Sequence, residues 1–176
     1  MPGNWRRSSA RVLTFRLATE RDIALLRELA DRIWRTSYAD TISQAQMEYM
    51  LVLMYAEETI RLELAEGVHW EIVRHDGCDA GYFSITFGPD YVAKLNKLYL
   101  VPELQGTGLG QEILARIFAV AAQNGANEVR LQVNKANLRA QRAYERFGFR
   151  RVEAAVFDIG GGFVMDDYIM ARTVAE

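Results

Sequence analysis

Lys97 to Gly110, KLYLVPELQGTGLG, is the stretch of this chain that decides its fold. The apolar run from Leu95 to Val101 predicts a buried strand, Pro102 ends it, and glycines at 106, 108 and 110 lead directly into a helical pattern. Glycines at alternate positions leave backbone N–H groups uncovered where the helix dipole is positive. The turn therefore predicts a site for a phosphate or pyrophosphate that needs no basic side chain.

Two well-known phosphate-binding motifs do not fit this turn. A Walker A loop requires Gly-Lys-Ser/Thr after four intervening residues, whereas Gly110 is followed by Gln111 and Glu112. A dinucleotide fingerprint requires a third glycine where Gln111 stands. Nucleotide hydrolysis and hydride transfer are therefore not supported. A turn that only joins a strand to a helix stays open as the alternative to an anion site.

Length, charge and cysteine content limit the class of protein. With 176 residues, 50% of them hydrophobic, the chain is predicted to form one domain, residues 11–176, after a flexible tail, residues 1–10. The net charge of -2 argues against nonspecific nucleic-acid binding and favours a cationic or neutral substrate. The single cysteine, Cys78, excludes an intramolecular disulfide and has no partner at zinc-ligand spacing. No apolar leader or membrane-length run is present, so a cytoplasmic protein without membrane contact is expected.

Hydrophobic periodicity predicts strands and helices on both sides of the glycine turn. The predicted strands are Val12 to Ala18, His69 to Arg74, Ala80 to Phe87, Glu128 to Val133, Arg150 to Asp158 and Val164 to Ala171. The predicted helices run from a Thr19 and Asp22 capping box to Tyr38, from Ser43 past Met54, from Glu57 to Glu66, from the glycine turn to Gly125, and from Asn137 to Gly148. The predicted chain thus contains both strands and helices.

The helix that Asn137 begins carries a second candidate site. Tyr144 lies seven residues after Asn137, which at about 100 degrees per residue puts both side chains on one face. Ala140 lies nearly on that face, so another group can approach the backbone closely, while Arg139 and Arg142 are predicted to point elsewhere. Taken alone, such a tyrosine is most often a core residue.

The two patterns together resemble the GNAT superfamily of N-acetyltransferases over nearly the whole domain. The shared order is a strand, the turn Gln105-Gly106-Thr107-Gly108-Leu109-Gly110, a helix, a strand, and N-x-x-A-x-x-x-Y-E-x-x-G-F from Asn137 to Phe149. The resemblance implies the GNAT fold, an α/β domain whose central mixed, mostly antiparallel sheet of about seven strands is flanked by helices.

The resemblance also implies roles for residues of both motifs. The backbone amides of the glycine turn are expected to hold the pyrophosphate of acetyl-coenzyme A. Backbone groups of Leu98, Leu100 and Val101 are expected to line the pantetheine and hold the thioester carbonyl. Asn137 corresponds to an asparagine near the cofactor, and Tyr144 to the general acid. With an ordinary pKa near 10, a tyrosine keeps its proton at pH 7 and suits that role. No metal is expected.

The C-terminal run Phe157 to Met170, FDIGGGFVMDDYIM, resembles the ending of PaiA-type spermidine/spermine N-acetyltransferases. Polyamine acetylation follows from this resemblance alone. The alternative is a structural hairpin shared by relatives that have different substrates. Candidate contacts to a small-molecule amine acceptor are Trp34, Tyr38 and Tyr168, with core packing as the alternative for the first two.

The general base is left without a candidate. Many relatives carry an acidic residue on the central strand, whereas this chain has Lys94-Leu95-Asn96-Lys97 there. Deprotonation of the acceptor then falls to an ordered water or to a carboxylate elsewhere. Strand alternation sends Asp166 and Asp167 to opposite faces, so at most one of this pair faces the cleft.

Three functions are consistent with these patterns. The favoured one is transfer of acetyl from acetyl-coenzyme A to a primary amine, such as spermidine or spermine, by direct attack. The alternatives are acetylation of a protein N-terminus or peptide, and a noncatalytic acyl-coenzyme A sensor. The pair of Asn137 and Tyr144 argues against the sensor, because a protein that only binds does not need the acid. A homodimer is one alternative for the oligomeric state, which the sequence leaves open.

Overall fold

The computed structural model describes residues 12–175, in which helices cover both faces of one sheet. The expected tail, residues 1–10, lies outside the described residues. The strands are β1 Leu13–Leu17, β2 His69–His75, β3 Cys78–Phe87, β4 Val92–Leu100, β5 Glu128–Asn134, β6 Arg150–Gly160 and β7 Phe163–Thr173. The helices are α1 Ile23–Ser37, α2 Gln44–Tyr55, α3 Glu57–Ala65, α4 Leu109–Gln123 and α5 Leu138–Arg146. Within residues 12–175, no helix has the length and apolar character needed to cross a membrane.

The sheet has seven strands in the order β1-β2-β3-β4-β5-β7-β6. Neighbouring strands pair antiparallel, except that β4 and β5 pair parallel. The expected α/β fold with a mixed, mostly antiparallel sheet is confirmed. A parallel pair requires a crossover connection, and α4 is that crossover.

The parallel pair of β4 and β5 is short, and this opens the middle of the sheet. The two strands pair only from Val92 to Leu95 on β4. The register between β3 and β4 shifts so that Asn96 is the extra residue of a bulge, and its side chain donates to Thr86 Oγ1 at 3.2 Å. A bulge bends its strand. Beyond Leu95 the two strands therefore separate, although both continue for several residues.

Local chemistry explains where the helices begin. Ser43 Oγ accepts a hydrogen bond from Gln46 N at 3.1 Å, and Asn137 Oδ1 accepts one from Ala140 N at 3.1 Å. Each cap satisfies one backbone donor that the helix itself leaves unpaired, which is worth about 1 kcal/mol. Both caps were predicted from the sequence and are confirmed.

Each face of the sheet has its own hydrophobic core. On one face α1, α2 and α3 cover Trp70 and Tyr82, and on the other α4 and α5 cover Phe83 and Val129. Full burial of such a side chain contributes about 1.5–3 kcal/mol. The opening between β4 and β5 therefore lies between two well-packed layers that hold its walls in place.

Candidate active site

A cavity of about 830 Å³ occupies the gap between β4 and β5. Both faces of the sheet contribute to its walls, with α1 and α2 on one side and α4 and α5 on the other. Nine of the residues predicted from sequence line it: Trp34, Tyr38, Leu98, Leu100, Gln105, Gly106, Gly110, Asn137 and Tyr144. The two motifs, 31 positions apart between Gly106 and Asn137, thus meet in one cavity.

The glycine turn forms one end of the cavity. Gly106 and Gly108 have φ of 73° and 88°, in the left-handed region that side chains disfavour. Gly108 is also the N-cap of α4, so the turn and the first N–H groups of the helix lie together. Gln111 N donates to Gly108 O at 3.2 Å, whereas the N–H groups of Leu109 and Gly110 precede the first i−4 hydrogen bond of the helix and are available to an anion.

Arg139 brings a positive charge to this turn, contrary to the prediction that it points elsewhere. Its Nη1 donates to Gln105 Oε1 at 3.3 Å, and a Cβ placed on Gly106 would lie 2.5 Å from its Nη2. The prediction was wrong because the helical angle gives the direction of Cβ and not the reach of a long side chain. The guanidinium stands at the exposed rim of the cavity, beside the turn.

The free edge of β4 faces the cavity. Val101 N donates to Ala80 O at 2.8 Å, so its backbone N–H points to β3. In an antiparallel pair the backbone groups of alternate residues point to opposite sides. Those of Leu98 and Leu100 therefore point away from β3 and into the gap. The Leu100 carbonyl already accepts from Gln105 Nε2 at 2.9 Å, which anchors the start of the turn to β4.

Five residues predicted for the site do not line the cavity: Val101, Thr107, Gly108, Leu109 and Tyr168. Val101 and Leu109 are buried in the fold. Thr107 Oγ1 turns back to donate to the Leu104 carbonyl. The Tyr168 ring lies under two cations, 4.5 Å from the Arg151 guanidinium and 5.5 Å from Lys135 Nζ. The structure thus places Tyr168 away from the cavity that Trp34 and Tyr38 line.

Tyr144 is a partly buried phenol on the wall that α5 contributes. Its ring packs edge-on against Phe149, with centroids 5.7 Å apart. Burial raises the pKa of Tyr144 well above its ordinary value of 10.0, and the nearby Tyr38 raises it further. The hydroxyl therefore carries its proton throughout the neutral range. Gln111 Nε2 donates to Ala143 O at 3.0 Å and so ties α4 to the helix that carries Tyr144.

Three aromatic rings form the wall on the α1 side. Trp34 packs on Tyr38 and on Tyr99, with centroids 4.7 Å and 5.5 Å apart. The hydroxyls of Tyr38 and Tyr99 lie 3.4 Å from each other. Burial raises the pKa of both phenols, so both stay neutral. This half of the cavity is accordingly aromatic and rich in hydroxyl groups.

Asp167 is the acidic side chain that faces this aromatic wall, whereas the sequence left open which of Asp166 and Asp167 faces the cleft. It lines the cavity, is only 1% exposed, and neither of its oxygens meets a hydrogen-bond partner within residues 12–175. Burial and, to a smaller extent, the charge of Asp166 raise the pKa of Asp167 to about 6, against the opposing effect of Lys135. The expectation that at most one of the two aspartates faces the cleft is confirmed, since Asp166 is exposed.

Lys97 is a second ionisable group that sequence reasoning missed. Its ammonium lies 4.9 Å from the Trp70 ring centre and 3.5 Å from Glu63 Oε1, at the cavity wall. Burial lowers the pKa of Lys97, and Glu63 opposes the shift. In the part of the chain that the structure describes, no group of three or more His, Cys, Asp and Glu side chains is placed to hold a metal ion.

Comparison with known proteins gives a family and a fold. The family model described as Acetyltransferase (GNAT) family matches residues 25–149. An uncharacterized N-acetyltransferase of Mycobacterium tuberculosis is 40% identical over 99 residues, which cover 56% of this chain and 63% of that protein. The match thus spans less than two thirds of the curated relative's length.

Two solved structures share the architecture. The PaiA N-acetyltransferase of Thermoplasma acidophilum, in complex with coenzyme A, has a TM-score of 0.77 at 23% identity, covering 92% of this chain and 99% of that one. A chimera of the spermidine N-acetyltransferase SpeG from Vibrio cholerae and hSSAT has a TM-score of 0.71 at 19% identity, covering 93% and 96%. At these identities the likeness is one of fold.

Proposed function

Because this chain belongs to the acetyltransferase (GNAT) family, we propose that it transfers acetyl from acetyl-coenzyme A to a primary amine by direct attack. One observation carries the proposal. The glycine turn, the free edge of β4 and the phenol of Tyr144 meet in a single cavity. An anion site suits the pyrophosphate of the donor, unpaired backbone groups suit its thioester carbonyl, and a proton donor suits its leaving sulfur.

The walls fit acetyl-coenzyme A part by part. The left-handed turn at Gly106 and the N-terminus of α4 suit a pyrophosphate, and Arg139 adds a guanidinium beside them. The free backbone carbonyl of Leu98 suits an amide N–H of pantetheine. When bound, acetyl-coenzyme A supplies an acetyl group activated as a thioester. The structural neighbour from Thermoplasma acidophilum, which was solved with coenzyme A, supports this assignment.

The chain's own groups would then act in sequence. The backbone N–H of Leu98 is placed to donate to the oxygen that becomes negatively charged during attack. Tyr144 holds its proton until negative charge develops on the leaving sulfur, and then donates it. The rings of Trp34, Tyr38 and Tyr99 exclude water from the acceptor side of the cavity. Asn137 begins α5 and so fixes the helix from which Tyr144 projects.

For the acceptor we propose a polyamine such as spermidine or spermine. An ammonium group is favoured by the faces of Trp34, Tyr38 and Tyr99, each worth about 0.5–2 kcal/mol in a cation–π contact, and by the unpaired carboxylate of Asp167. The resemblance of the C-terminal run to PaiA-type enzymes and the fold shared with the SpeG chimera point to the same class of acceptor. A cytoplasmic location is part of the proposal, since the free thiol of Cys78 is exposed.

The test is release of free thiol from acetyl-coenzyme A across a panel of acceptors at saturating cofactor. The panel holds spermidine, spermine, aminoglycosides, free amino acids and short peptides. We expect the highest kcat/KM with the polyamines. Thiol release with peptides alone would indicate that the acceptor is a protein N-terminus and not a polyamine. Tight binding of coenzyme A without thiol release in the presence of any acceptor would contradict the proposed enzymatic activity and favour an acyl-coenzyme A sensor. Light scattering on the same preparation tests the homodimer.

A further inference from the structure

Asp167 lies on the side of the sheet where β4 and β5 have separated. In the register of β5 and β7 it stands opposite Asn134, three residues beyond Leu131, where the pairing of β4 with β5 ends. The Asp167 side chain therefore reaches the gap from β7, on the far side of β5. On β4, where many relatives carry an acidic residue, this chain has Lys94 and Lys97. The split in the sheet thus brings into the cavity a carboxylate that β4 itself lacks.

Among residues 12–175, no counter-ion is in contact with Asp167. From α1 the phenol of Tyr38 faces it, and both groups line the cavity. On its own strand Asp166 points to the other face, where its Oδ1 lies 2.5 Å from Lys135 Nζ. Neither carboxylate oxygen of Asp167 has a hydrogen-bond partner within residues 12–175. A buried charge without a partner is costly, so the group is suited to a cation that arrives from outside.

On the basis of the function proposed above, we propose that Asp167 is the general base that deprotonates the acceptor ammonium. The carboxylate is buried and unpaired, and it belongs to the wall of the cavity that the acceptor must enter. The raised pKa of Asp167, about 6, leaves the group ionised at pH 7 and far more basic than an ordinary aspartate. The same carboxylate first pairs with the ammonium and then takes one of its protons.

The protons balance over the whole reaction. One proton moves from the acceptor ammonium to a carboxylate oxygen of Asp167 and later leaves to solvent. The neutral amine attacks the thioester carbon, so a C–N bond forms and a tetrahedral oxyanion develops. When that intermediate collapses, the C–S bond breaks and Tyr144 protonates the leaving sulfur. The second nitrogen proton then returns to the Tyr144 oxygen. An ammonium and a thioester thus give an amide, a thiol and one released proton.

Asp167→Asn is the first test, with Asp166→Asn as the matched control on the opposite face. With the best acceptor of the panel, Asp167→Asn is expected to lower kcat at pH 7 by roughly 100-fold or more. In Asp167→Asn the acid limb of the kcat/KM profile near pH 6 should disappear. The value of kcat/KM should instead rise with pH in proportion to the fraction of acceptor that is a free amine. Asp166→Asn should keep kcat and an acid limb, which moves to lower pH because Asp166 raises the pKa of Asp167. Both variants should bind coenzyme A with unchanged affinity in calorimetry.

Two further measurements separate a base from a binding group. Asp167→Ala leaves space for a small carboxylate, and added formate is expected to restore part of kcat. In the wild type, 13C NMR of aspartate carboxyl groups should show a titration near pH 6 that Asp167→Asn removes. A raised KM with unchanged kcat and an intact acid limb would overturn the inference and leave Asp167 as an ammonium anchor. If the wild type releases no thiol with any amine, the proposed function fails instead.

Discussion

Gly108→Ala is predicted to destabilise the protein, whereas Gly110→Ala, two residues further on, is predicted to stabilise it. At Gly108 the backbone has φ of 88°, and a new Cβ would meet nothing within 4 Å. The cost is therefore backbone strain alone, roughly 1–2 kcal/mol for an L-residue in the left-handed region. Gly110 lies inside α4, has no positive φ and also has open space around its Cβ position. Alanine there gains about 0.5–1 kcal/mol of helix stability.

The assay is urea and thermal unfolding of both variants beside the wild type. At this chain length each kcal/mol corresponds to about 2–4 °C in Tm. The two variants should thus fall on opposite sides of the wild type, several degrees apart. A Gly108→Ala protein as stable as the wild type would refute the left-handed turn. An equally large loss in Gly110→Ala would show that the turn and the start of α4 are wrongly placed.

Gly106→Ala differs from Gly108→Ala because its new Cβ adds a steric clash to the backbone strain. Its Cβ would lie 2.5 Å from Arg139 Nη2, so the guanidinium must move as well. We therefore expect Gly106→Ala to weaken coenzyme A binding in calorimetry. The loss of affinity should exceed that of Gly110→Ala, a substitution at a glycine that also lines the cavity. Equal affinities for the two variants would contradict the role of Arg139 at the turn.

Four further predictions concern single side chains. Tyr144→Phe should lower kcat by roughly 100-fold or more in the thiol-release assay and leave coenzyme A affinity unchanged. Arg139→Leu should raise the Kd for coenzyme A by about 10-fold or more in calorimetry, since charge-assisted hydrogen bonds contribute about 1.5–3 kcal/mol. Gln141 is buried and donates to the carbonyls of Asn134 and Lys135 at 3.0 Å and 2.9 Å, so Gln141→Leu should lower the free energy of unfolding by about 1–3 kcal/mol in urea. The folded pKa of Asp167, about 6, lies above its ordinary 3.8, so its stabilising effect is complete below pH 3.8 and is lost as pH rises through 6. The stability of the wild type relative to Asp167→Asn should therefore fall by about 1 kcal/mol between pH 5 and pH 7.5 in urea unfolding.

Each of these has a result that would count against it. Unchanged turnover in Tyr144→Phe at saturating cofactor removes Tyr144 from the acid role. If Arg139→Leu binds coenzyme A like the wild type, the guanidinium only braces Gln105. A Gln141→Leu protein of unchanged stability would mean that water replaces its hydrogen bonds. A stability difference between wild type and Asp167→Asn that is constant with pH would mean that Asp167 does not titrate near 6.

Much of the fold follows from short-range patterns. The strand before Pro102, the caps at Ser43 and Asn137 and the glycine turn were all predictable, because each depends on residues a few positions apart. Helical arithmetic likewise predicted that Asn137 and Tyr144 share a face, and both line the cavity. The family resemblance supplied the mixed, mostly antiparallel sheet of about seven strands, which periodicity alone does not determine.

The site depended on what lies far away in sequence. Whether a long side chain such as Arg139 turns back depends on the neighbouring turn at Gly106. That Lys97 is buried follows from Trp70 and Glu63 packing around it, and nothing in its own stretch indicates this. Tyr168 looked like an acceptor contact, but strand register places it beneath Arg151 instead.

By itself, then, the sequence determined the local elements, the glycine turn and the placement of Asn137 and Tyr144 on one helix face, because these depend on backbone propensity and fixed periods. The tertiary structure decided where β4 and β5 separate, since that depends on a bulge at Asn96 and on pairing partners far apart in the chain. It also decided that Asp167, and not Asp166, enters the cavity: alternation separates the two side chains, and only the packing of the sheet's faces determines which one is buried.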